Sequence, residues 1–186
     1  MLRILALAAA LLLAGCSLLP GKPVTGRPTA DAFELKGRIA VRFDGDGYSG
    51  TVWWRHAKAR DVVELYTPIG TLYARLTRDG LGAVMEAADG KRYEEADAQA
   101  LSLRVLGWEL PLDSLPFWLF AQSAPGGESA SVTRGPDGRP GQLDQHDWRV
   151  RYRGYFEDFP GYANRVDLDR AGLNVKLIVS NWQGGK

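Results

Sequence analysis

Hydrophobic and polar residues alternate along most of this chain, in short runs separated by turn residues. Residues 33–43 alternate apolar with largely charged side chains, and residues 48–56 follow after a turn of aspartates and glycines. Further runs cover residues 62–67, 71–77, 82–87, 148–153, 164–168 and 173–182. A period of two, with turn residues about every ten positions, is typical of an antiparallel meander. We therefore expect a mostly β chain, curled into a sandwich or a barrel.

Only the middle of the chain departs from this rhythm. Residues 96–106 have a helical apolar stripe and are followed by Gly107, which predicts a helix and its end. A second short helix is predicted to begin at Asp113 as its cap. Both segments are apolar enough to pack on the concave side of a curved sheet. Residues 134–141 are rich in Gly and Pro and indicate a mobile loop.

The first sixteen residues resemble a bacterial export signal. A basic start, an apolar run of about eleven residues and a small-residue ending are typical of a secretory signal, and the run is too short to span a bilayer. The ending Leu13-Ala14-Gly15-Cys16 resembles the lipobox, whose cysteine receives S-diacylglycerol and, after cleavage, an N-acyl group. This predicts a cleaved signal peptide at residues 1–15 and lipidation of Cys16. The alternative is an ordinary signal peptide followed by a lone cysteine.

Lipidation of Cys16 would hold the protein on a membrane without spanning it. Each buried methylene contributes about 0.8 kcal/mol, so several acyl chains make a durable anchor. In the resembling class an aspartate after the cysteine retains the protein at the inner membrane, and Ser17 here implies the bacterial outer membrane, facing the periplasm. Residues 16–31 are rich in Pro, Gly and Thr, which predicts a flexible tether to a domain at residues 32–186.

Charge and motif content argue against several function classes. The chain has 23 Lys and Arg against 22 Asp and Glu, and a nucleic-acid binder needs an excess of cations. The single cysteine excludes an internal disulfide, and His56 and His146 lack ligand-spaced partners, which favours a surface or structural role. Gly45-x-Gly47-x-x-Gly50 matches a dinucleotide fingerprint, but β-branched and aromatic residues follow it, which favours a hairpin turn. No catalytic constellation stands out, so an enzyme, such as a glycan hydrolase, is the least favoured of the hypotheses considered below.

Aromatic residues are abundant and spread over the predicted strands and the second helix. The sequence has six tryptophans, seven tyrosines and six phenylalanines, more large rings than a small curved sheet can stack in its core. Most are expected to fill the core and the others to line a hollow, which would hold acyl chains through burial at roughly 25 cal/mol per Å². The candidate wall residues are Trp54, Leu72, Leu101, Val105, Trp118, Trp148 and Trp182.

Several short stretches follow the lipobox in a characteristic order. They are Phe33-Glu-Leu-Lys-Gly37-Arg-Ile-Ala, Trp53 or Trp54, Pro68-Ile69-Gly70, Leu106-Gly107 with Leu110-Pro111-Leu112, Ser114-Leu115 with Trp118, Gln145-x-x-Trp148, and Asn181-Trp182. With this order and spacing, the chain resembles the outer-membrane lipoprotein receptor family, LolB, over essentially its whole length. Two residues depart from the family pattern. Asp147 stands where Gly is usual, and Ile69 where Leu is usual.

The resemblance implies an incomplete, half-open antiparallel β-barrel of about eleven strands, with short helices covering a hydrophobic cavity. It implies a monomeric receptor, not an enzyme, that accepts lipoproteins from the soluble periplasmic carrier LolA. The receptor would bind their acyl chains and insert them in the inner leaflet of the outer membrane, among its phospholipids. No cofactor or metal is implied beyond the lipid on Cys16. The alternative is a lipid-anchored structural or envelope-assembly protein with a filled β core.

By the same resemblance, Pro68, Ile69 and Gly70 form the membrane-insertion loop. Residues 67–71 lie between two β-like runs and indicate a tight turn, where an apolar tip has no packing role. The family implies that Ile69 is exposed and enters lipid when cargo is released. The alternative is that Ile69 folds back onto the sheet.

Overall fold

The computed structural model describes residues 27–58 and 60–184, most of which lie in β-strands. The predicted signal peptide at residues 1–15, the lipidation site Cys16 and most of the predicted tether lie outside the described residues. The strands are β1 (Ala32–Phe43), β2 (Asp46–Ala57), β3 (Arg60–Tyr66), β4 (Leu72–Asp79), β5 (Gly82–Ala87), β6 (Arg92–Glu95), β7 (Ser131–Arg134), β8 (Pro140–Gln145), β9 (Trp148–Tyr155), β10 (Ala163–Arg170) and β11 (Leu173–Gly184).

The eleven strands form one sheet, in the order β6-β5-β4-β3-β2-β1-β11-β10-β9-β8-β7, and every strand pair is antiparallel. Neighbours in the sheet are also neighbours along the chain, except that β1 pairs with β11 and so joins the two halves. The outermost strands, β6 and β7, are not neighbours in the sheet, so the barrel is incomplete. This arrangement confirms the half-open antiparallel barrel and replaces the sandwich alternative.

Alternation along most of the strands gives the sheet one buried, apolar face. In β1, Leu35 and Val41 are buried whereas Lys36 is exposed, because successive side chains point to opposite faces. The hairpin from β1 to β2 turns through Asp44 and Gly45, whose φ angles are 48° and 88°. Positive φ at both central residues is the geometry that matches the twist of hairpin strands. The glycine pattern is therefore a hairpin turn, as predicted, and not a dinucleotide site.

Three short strands, β6, β7 and β8, lie outside the runs that the alternation predicts. The mobile loop predicted at residues 134–141 is wrong, because Arg134 pairs with Pro140 in the β7–β8 hairpin. The amide of Gly135 donates to the carbonyl of Arg139 at 2.8 Å and closes the turn. All four residues of β7 are exposed, so this edge strand carries no hydrophobic alternation that could reveal it.

Two short helices follow β6. Helix α1 (Ala98–Leu106) begins at Asp97, whose carboxylate accepts a hydrogen bond from the amide of Ala100 at 2.7 Å. It ends at Gly107, as predicted, with φ of 81° and its amide donating to Leu103 at 3.0 Å. None of the helices in the described part of the chain is long and apolar enough to cross a membrane.

The second helix, α2 (Leu115–Leu119), has Ser114 at its N-cap position, which corrects the predicted cap at Asp113. Pro116 lies in the first turn, where its missing amide hydrogen leaves no helical hydrogen bond unmade. Asp113 instead contacts Arg78 of β4 through its side chain. This contact connects the segment before α2 to the sheet.

The turn from β8 to β9 explains the unusual residue at position 147. Gln145 pairs with Trp148, and the two residues between them have positive φ, 51° at His146 and 62° at Asp147. Glycine adopts such angles without a steric penalty, and aspartate tolerates them better than most residues. The glycine that the resemblance leads us to expect at position 147 would suit this turn, and Asp147 also adopts its geometry.

Gln145 joins this hairpin to α2 and the loop that follows it. Its buried side-chain oxygen accepts hydrogen bonds from the indole N–H of Trp118 at 2.7 Å and from the amide of Ala124 at 2.9 Å. Its side-chain nitrogen donates to the carbonyls of Ala124 at 3.1 Å and Glu128 at 2.7 Å. Every polar atom of this buried amide therefore has a partner.

Replacing Gln145 by leucine is expected to lower the free energy of unfolding by about 3 kcal/mol. The change leaves two buried donors without an acceptor, at about 1–3 kcal/mol each. Urea denaturation of the purified protein measures the loss. Gln142→Leu is the control, because that side chain is half-buried and its amide donates a hydrogen bond to the half-buried Asp144. Equal stabilities of the two variants would contradict this role of Gln145.

The described chain begins at Arg27, within the predicted tether. The guanidinium of Arg27 donates to the hydroxyl of Tyr162 at 3.0 Å, and that hydroxyl donates to the carbonyl of Pro28 at 3.1 Å. Ala30 is buried. Residues 27–30, which belong to the predicted tether, therefore contact the domain.

Candidate functional site

A cavity of about 100 Å³ lies between the concave face of the sheet and the segment that runs from Leu106 to Leu119. We call residues 106–119 the cover. All lining residues are hydrophobic, and the sheet contributes residues from β1 to β5 and from β9 to β11. The cover contributes Leu106, Trp108, Leu110, Pro111, Leu112, Leu115 and Leu119. A void with such walls suits hydrocarbon and offers no ionisable group to a polar ligand.

Two of the predicted wall residues, Trp54 and Trp148, line this cavity. The other predicted wall residues lie outside this lining: Leu72, Leu101, Val105, Trp118 and Trp182. Leu101 of α1 is fully buried, and Leu72 and Val105 are half-buried. The cavity wall therefore consists mainly of strand residues and of cover residues that follow α1. Helix α1 itself contributes only its last residue, Leu106.

Trp118 and Trp182, which lie outside the lining, contact other residues. Trp118 is fully buried, donates to Gln145 and has its ring centroid 5.9 Å from that of Trp148. The ring of Trp182 lies 5.2 Å from that of Phe33 and 5.1 Å from that of Phe120. The ring of Trp182 therefore packs around Phe33, near the beginning of β1, and not on the cavity wall.

Buried hydrogen bonds attach the cover to its neighbours. The hydroxyl of Tyr152 donates to the carbonyl of Trp118 at 2.6 Å. Burial, with a smaller contribution from Tyr155, raises the pKa of Tyr152 well above its usual range, so its phenol stays a neutral donor. The hydroxyl of Ser102 accepts from the amide of Leu110 at 2.8 Å, which joins the cover to α1.

A polar cluster lies beside the cavity, around the fully buried carboxylate of Asp61. One oxygen of Asp61 accepts from the indole N–H of Trp54 at 2.7 Å and lies 2.7 Å from Nδ1 of His56. The other oxygen lies 2.5 Å from a guanidinium nitrogen of Arg78, and Arg78 also contacts Asp113 in the cover. We call these five residues the Asp61 cluster, which the sequence pattern does not predict.

Ile69 lies at the tip of the turn between β3 and β4 and is 90% exposed. The amide of Gly70 donates to the carbonyl of Thr67 at 2.9 Å, and the amide of Thr67 donates to the carbonyl of Thr71 at 2.9 Å. This fixed turn holds Ile69 away from the sheet, so the alternative in which it folds back is wrong. Exposure alone does not single it out, because Leu81, in the turn at the other end of β4, is 98% exposed.

Ionisable groups do not gather into a metal site in the part of the chain that the structure describes, where no three His, Cys, Asp or Glu side chains are grouped to hold an ion. What the cavity offers instead is burial of apolar surface, at roughly 25 cal/mol per Å². Its walls and cover fit a flexible hydrocarbon chain better than a polar substrate.

An incomplete antiparallel barrel with a covered, apolar cavity defines a class of half-barrel proteins with a hydrophobic interior. A family model described as "Outer membrane lipoprotein LolB" matches residues 31–182, so the chain belongs to the LolB family. It is 36% identical to the outer-membrane lipoprotein LolB of Chromobacterium violaceum, over 97% of this chain and 98% of that one. It is 34% identical to that of Thiobacillus denitrificans, over 92% and 91%. The crystal structure of a LolA superfamily protein from Nitrosomonas europaea matches with a TM-score of 0.46 and 11% identity, covering 86% of this chain and 89% of that one.

Proposed function

We propose that this protein is an outer-membrane lipoprotein receptor that binds the acyl chains of lipoproteins in its cavity and inserts them in the inner leaflet of the outer membrane. The observation that carries the proposal is the wholly apolar cavity under the cover, in a chain of the LolB family. A soluble carrier, LolA, would deliver the cargo, and the lipid on Cys16 would keep the receptor at the membrane. This function involves no covalent step.

The direction of transfer then depends only on differences in free energy. Acyl chains must prefer this cavity to that of the carrier, and the bilayer to this cavity. A difference of 1.4 kcal/mol at either step favours one side about tenfold. A modest affinity for acyl chains therefore serves a receptor better than a very high one.

The cavity is too small for cargo as the structure shows it. Its volume of about 100 Å³ is below the ~150 Å³ of an engineered protein cavity that admits one benzene ring. A protein interior is close-packed, so a longer hydrocarbon cannot enter without displacing side chains. The structure therefore represents a closed form, and acyl binding requires the cover to move outward.

Burial of an acyl chain that enters from water offsets part of the free-energy cost of that movement. Each methylene removed from water contributes about 0.8 kcal/mol, so ten buried methylenes contribute about 8 kcal/mol. Separating the cover exposes its apolar side chains, among them Leu112 and Leu115, at about 1.5–3 kcal/mol for each one fully exposed. A bound chain covers most of these side chains again, which reduces the cost.

Filling the cavity is expected to block acyl binding. Ala74 lines the cavity, and Ala74→Phe places a ring in the void. We expect the affinity for a dansylated fatty acid, measured by fluorescence titration, to fall at least about tenfold, a loss of roughly 1.4 kcal/mol. The melting temperature should stay within a few degrees, because filling a void offsets part of the strain of the larger side chain.

Ala40→Phe is the matched control, because Ala40 lies on the opposite face of β1 from Ile39 and Val41, which line the cavity. This variant should bind the probe as the wild type does. Wild-type protein that captures no fatty acid would contradict the receptor function and favour the lipid-anchored scaffold with a filled core. Equal affinities of the two variants would place acyl binding elsewhere on the protein.

A further inference from the structure

We propose that Arg78 and Asp113 are positioning residues for the cover, and that breaking their ion pair is the step that admits an acyl chain. The inference rests on the proposed function, since it concerns entry into the same cavity. Asp113 belongs to the cover, and Arg78 lies near the end of β4. Their side chains are in direct contact.

The position of Asp113 gives this contact control over the cavity. Its neighbours Leu112 and Leu115 both line the cavity from the cover side, and Leu112 is almost fully buried. Movement of Asp113 away from the sheet would carry both leucines out of the wall. The bonds of Leu110 to Ser102 and of Trp118 to Tyr152 hold the cover on either side of Asp113, so opening would occur between them, at Asp113.

The two partners of the ion pair differ in how firmly they are held. The side chain of Arg78 is held in place, because its guanidinium lies 2.5 Å from the buried carboxylate of Asp61. That carboxylate is held in turn by Trp54 and His56. Asp113 has a side chain that is 74% exposed, against 17% for Arg78. When the cover moves, the contact that breaks is therefore Arg78–Asp113, and Asp61 keeps the Arg78 side chain in place for reclosure.

The modest strength of an exposed ion pair suits reversible opening. Pairs with a solvent-exposed partner are weak and are screened by salt, whereas removing one partner of a buried pair leaves an uncompensated charge. The Arg78–Asp113 contact can break without leaving a buried charge unpaired, since Arg78 retains Asp61. It biases the cover toward the closed form without preventing entry.

Neutralising Asp113 is expected to speed entry. Asparagine keeps the size of the side chain and removes its charge, so Asp113→Asn should raise the association rate of a dansylated fatty acid about threefold, or roughly 0.7 kcal/mol. Stopped-flow fluorescence of the purified protein measures this rate. Added sodium chloride should speed association with the wild type and leave the variant unchanged, a difference that loss of a purely structural residue would not produce.

Two control variants isolate the ion pair. Asp113→Glu retains the charge and should restore slow, salt-sensitive entry. Asp89→Asn removes the charge of another exposed pair, with Lys91 in the β5–β6 turn, and should leave the rate unchanged. The proposal is overturned if Asp113→Asn and the wild type take up the probe at the same rate in low salt.

Hydrogen exchange tests the positioning role without any ligand. The amides of Ser114 and Leu115 both donate to the carbonyl of Pro111, at 3.0 and 2.9 Å. These amides should exchange about threefold faster in Asp113→Asn if the cover opens more often. Unchanged exchange would refute the positioning role even if the probe binds. Faster exchange in a protein that binds no probe would support it and refute the receptor function alone.

Discussion

Ile69→Glu is expected to block release of lipoproteins into a bilayer while leaving the fold and the uptake of cargo from the carrier intact. Ile69 projects from a hydrogen-bonded turn and packs against nothing, so the change should cost little stability. Burial of an isoleucine side chain in an apolar environment contributes about 1.5–3 kcal/mol, and a glutamate there is costly. A loss of about 3 kcal/mol corresponds to roughly 100-fold slower insertion.

Transfer of a fluorescent lipoprotein, first from carrier to receptor and then from receptor to liposomes, separates the two steps. Leu81→Glu is the matched control, because Leu81 is equally exposed but lies in the turn at the opposite end of β4. We expect Leu81→Glu to insert cargo normally, and Ile69→Leu to do so as well. Normal insertion by Ile69→Glu, or an equal defect in Leu81→Glu, would refute the specific role of the Ile69 turn.

Asp61→Ala is expected to lower the free energy of unfolding by about 3–5 kcal/mol, the usual cost of removing one partner from a buried ion pair. The change leaves Trp54, His56 and Arg78 facing a site without an acceptor. At about 2–4 °C per kcal/mol for a domain of this size, the melting temperature should fall by roughly 6–20 °C. Calorimetry or thermal circular dichroism would measure the shift.

Glu94→Ala is the control for this loss, because it removes a carboxylate from an exposed ion pair with Arg92. Exposed pairs contribute about 0–1 kcal/mol, so the melting temperature should change by no more than a few degrees. A similarly small shift for Asp61→Ala would show that the cluster stabilises little.

The sequence predicts the strands of this fold wherever one face of a strand is buried and apolar. The alternation in β1, β2 and β9 to β11 sets both their existence and their inward faces, and it places Trp54 and Trp148 on the cavity wall. The polar edge strands β6 and β7 escape this reasoning, because neither buries a hydrophobic row. For Trp118, helical spacing alone does not show which residue accepts the hydrogen bond from its indole N–H.

The Asp61 cluster is also not evident from the sequence pattern, although one signal of it is present. His56 stands two positions after Trp54 in a strand, and so lies on the same inward face. An inward polar residue at a strand end demands a buried partner, and Asp61 is the first carboxylate after it. Nothing in the spacing points to Arg78 or Asp113, because only the folded sheet and cover bring them to this carboxylate.

The unjoined strands β6 and β7 give the barrel a freedom that a fully closed one lacks. A closed ring of hydrogen-bonded strands has a circumference set by its strand number and stagger, and widening it means breaking a ladder. In this sheet the two free margins can spread apart while all ten ladders between the eleven strands stay intact. Bending of the sheet would therefore accommodate longer acyl chains. The cavity volume could increase and decrease with each bound chain without any local unfolding.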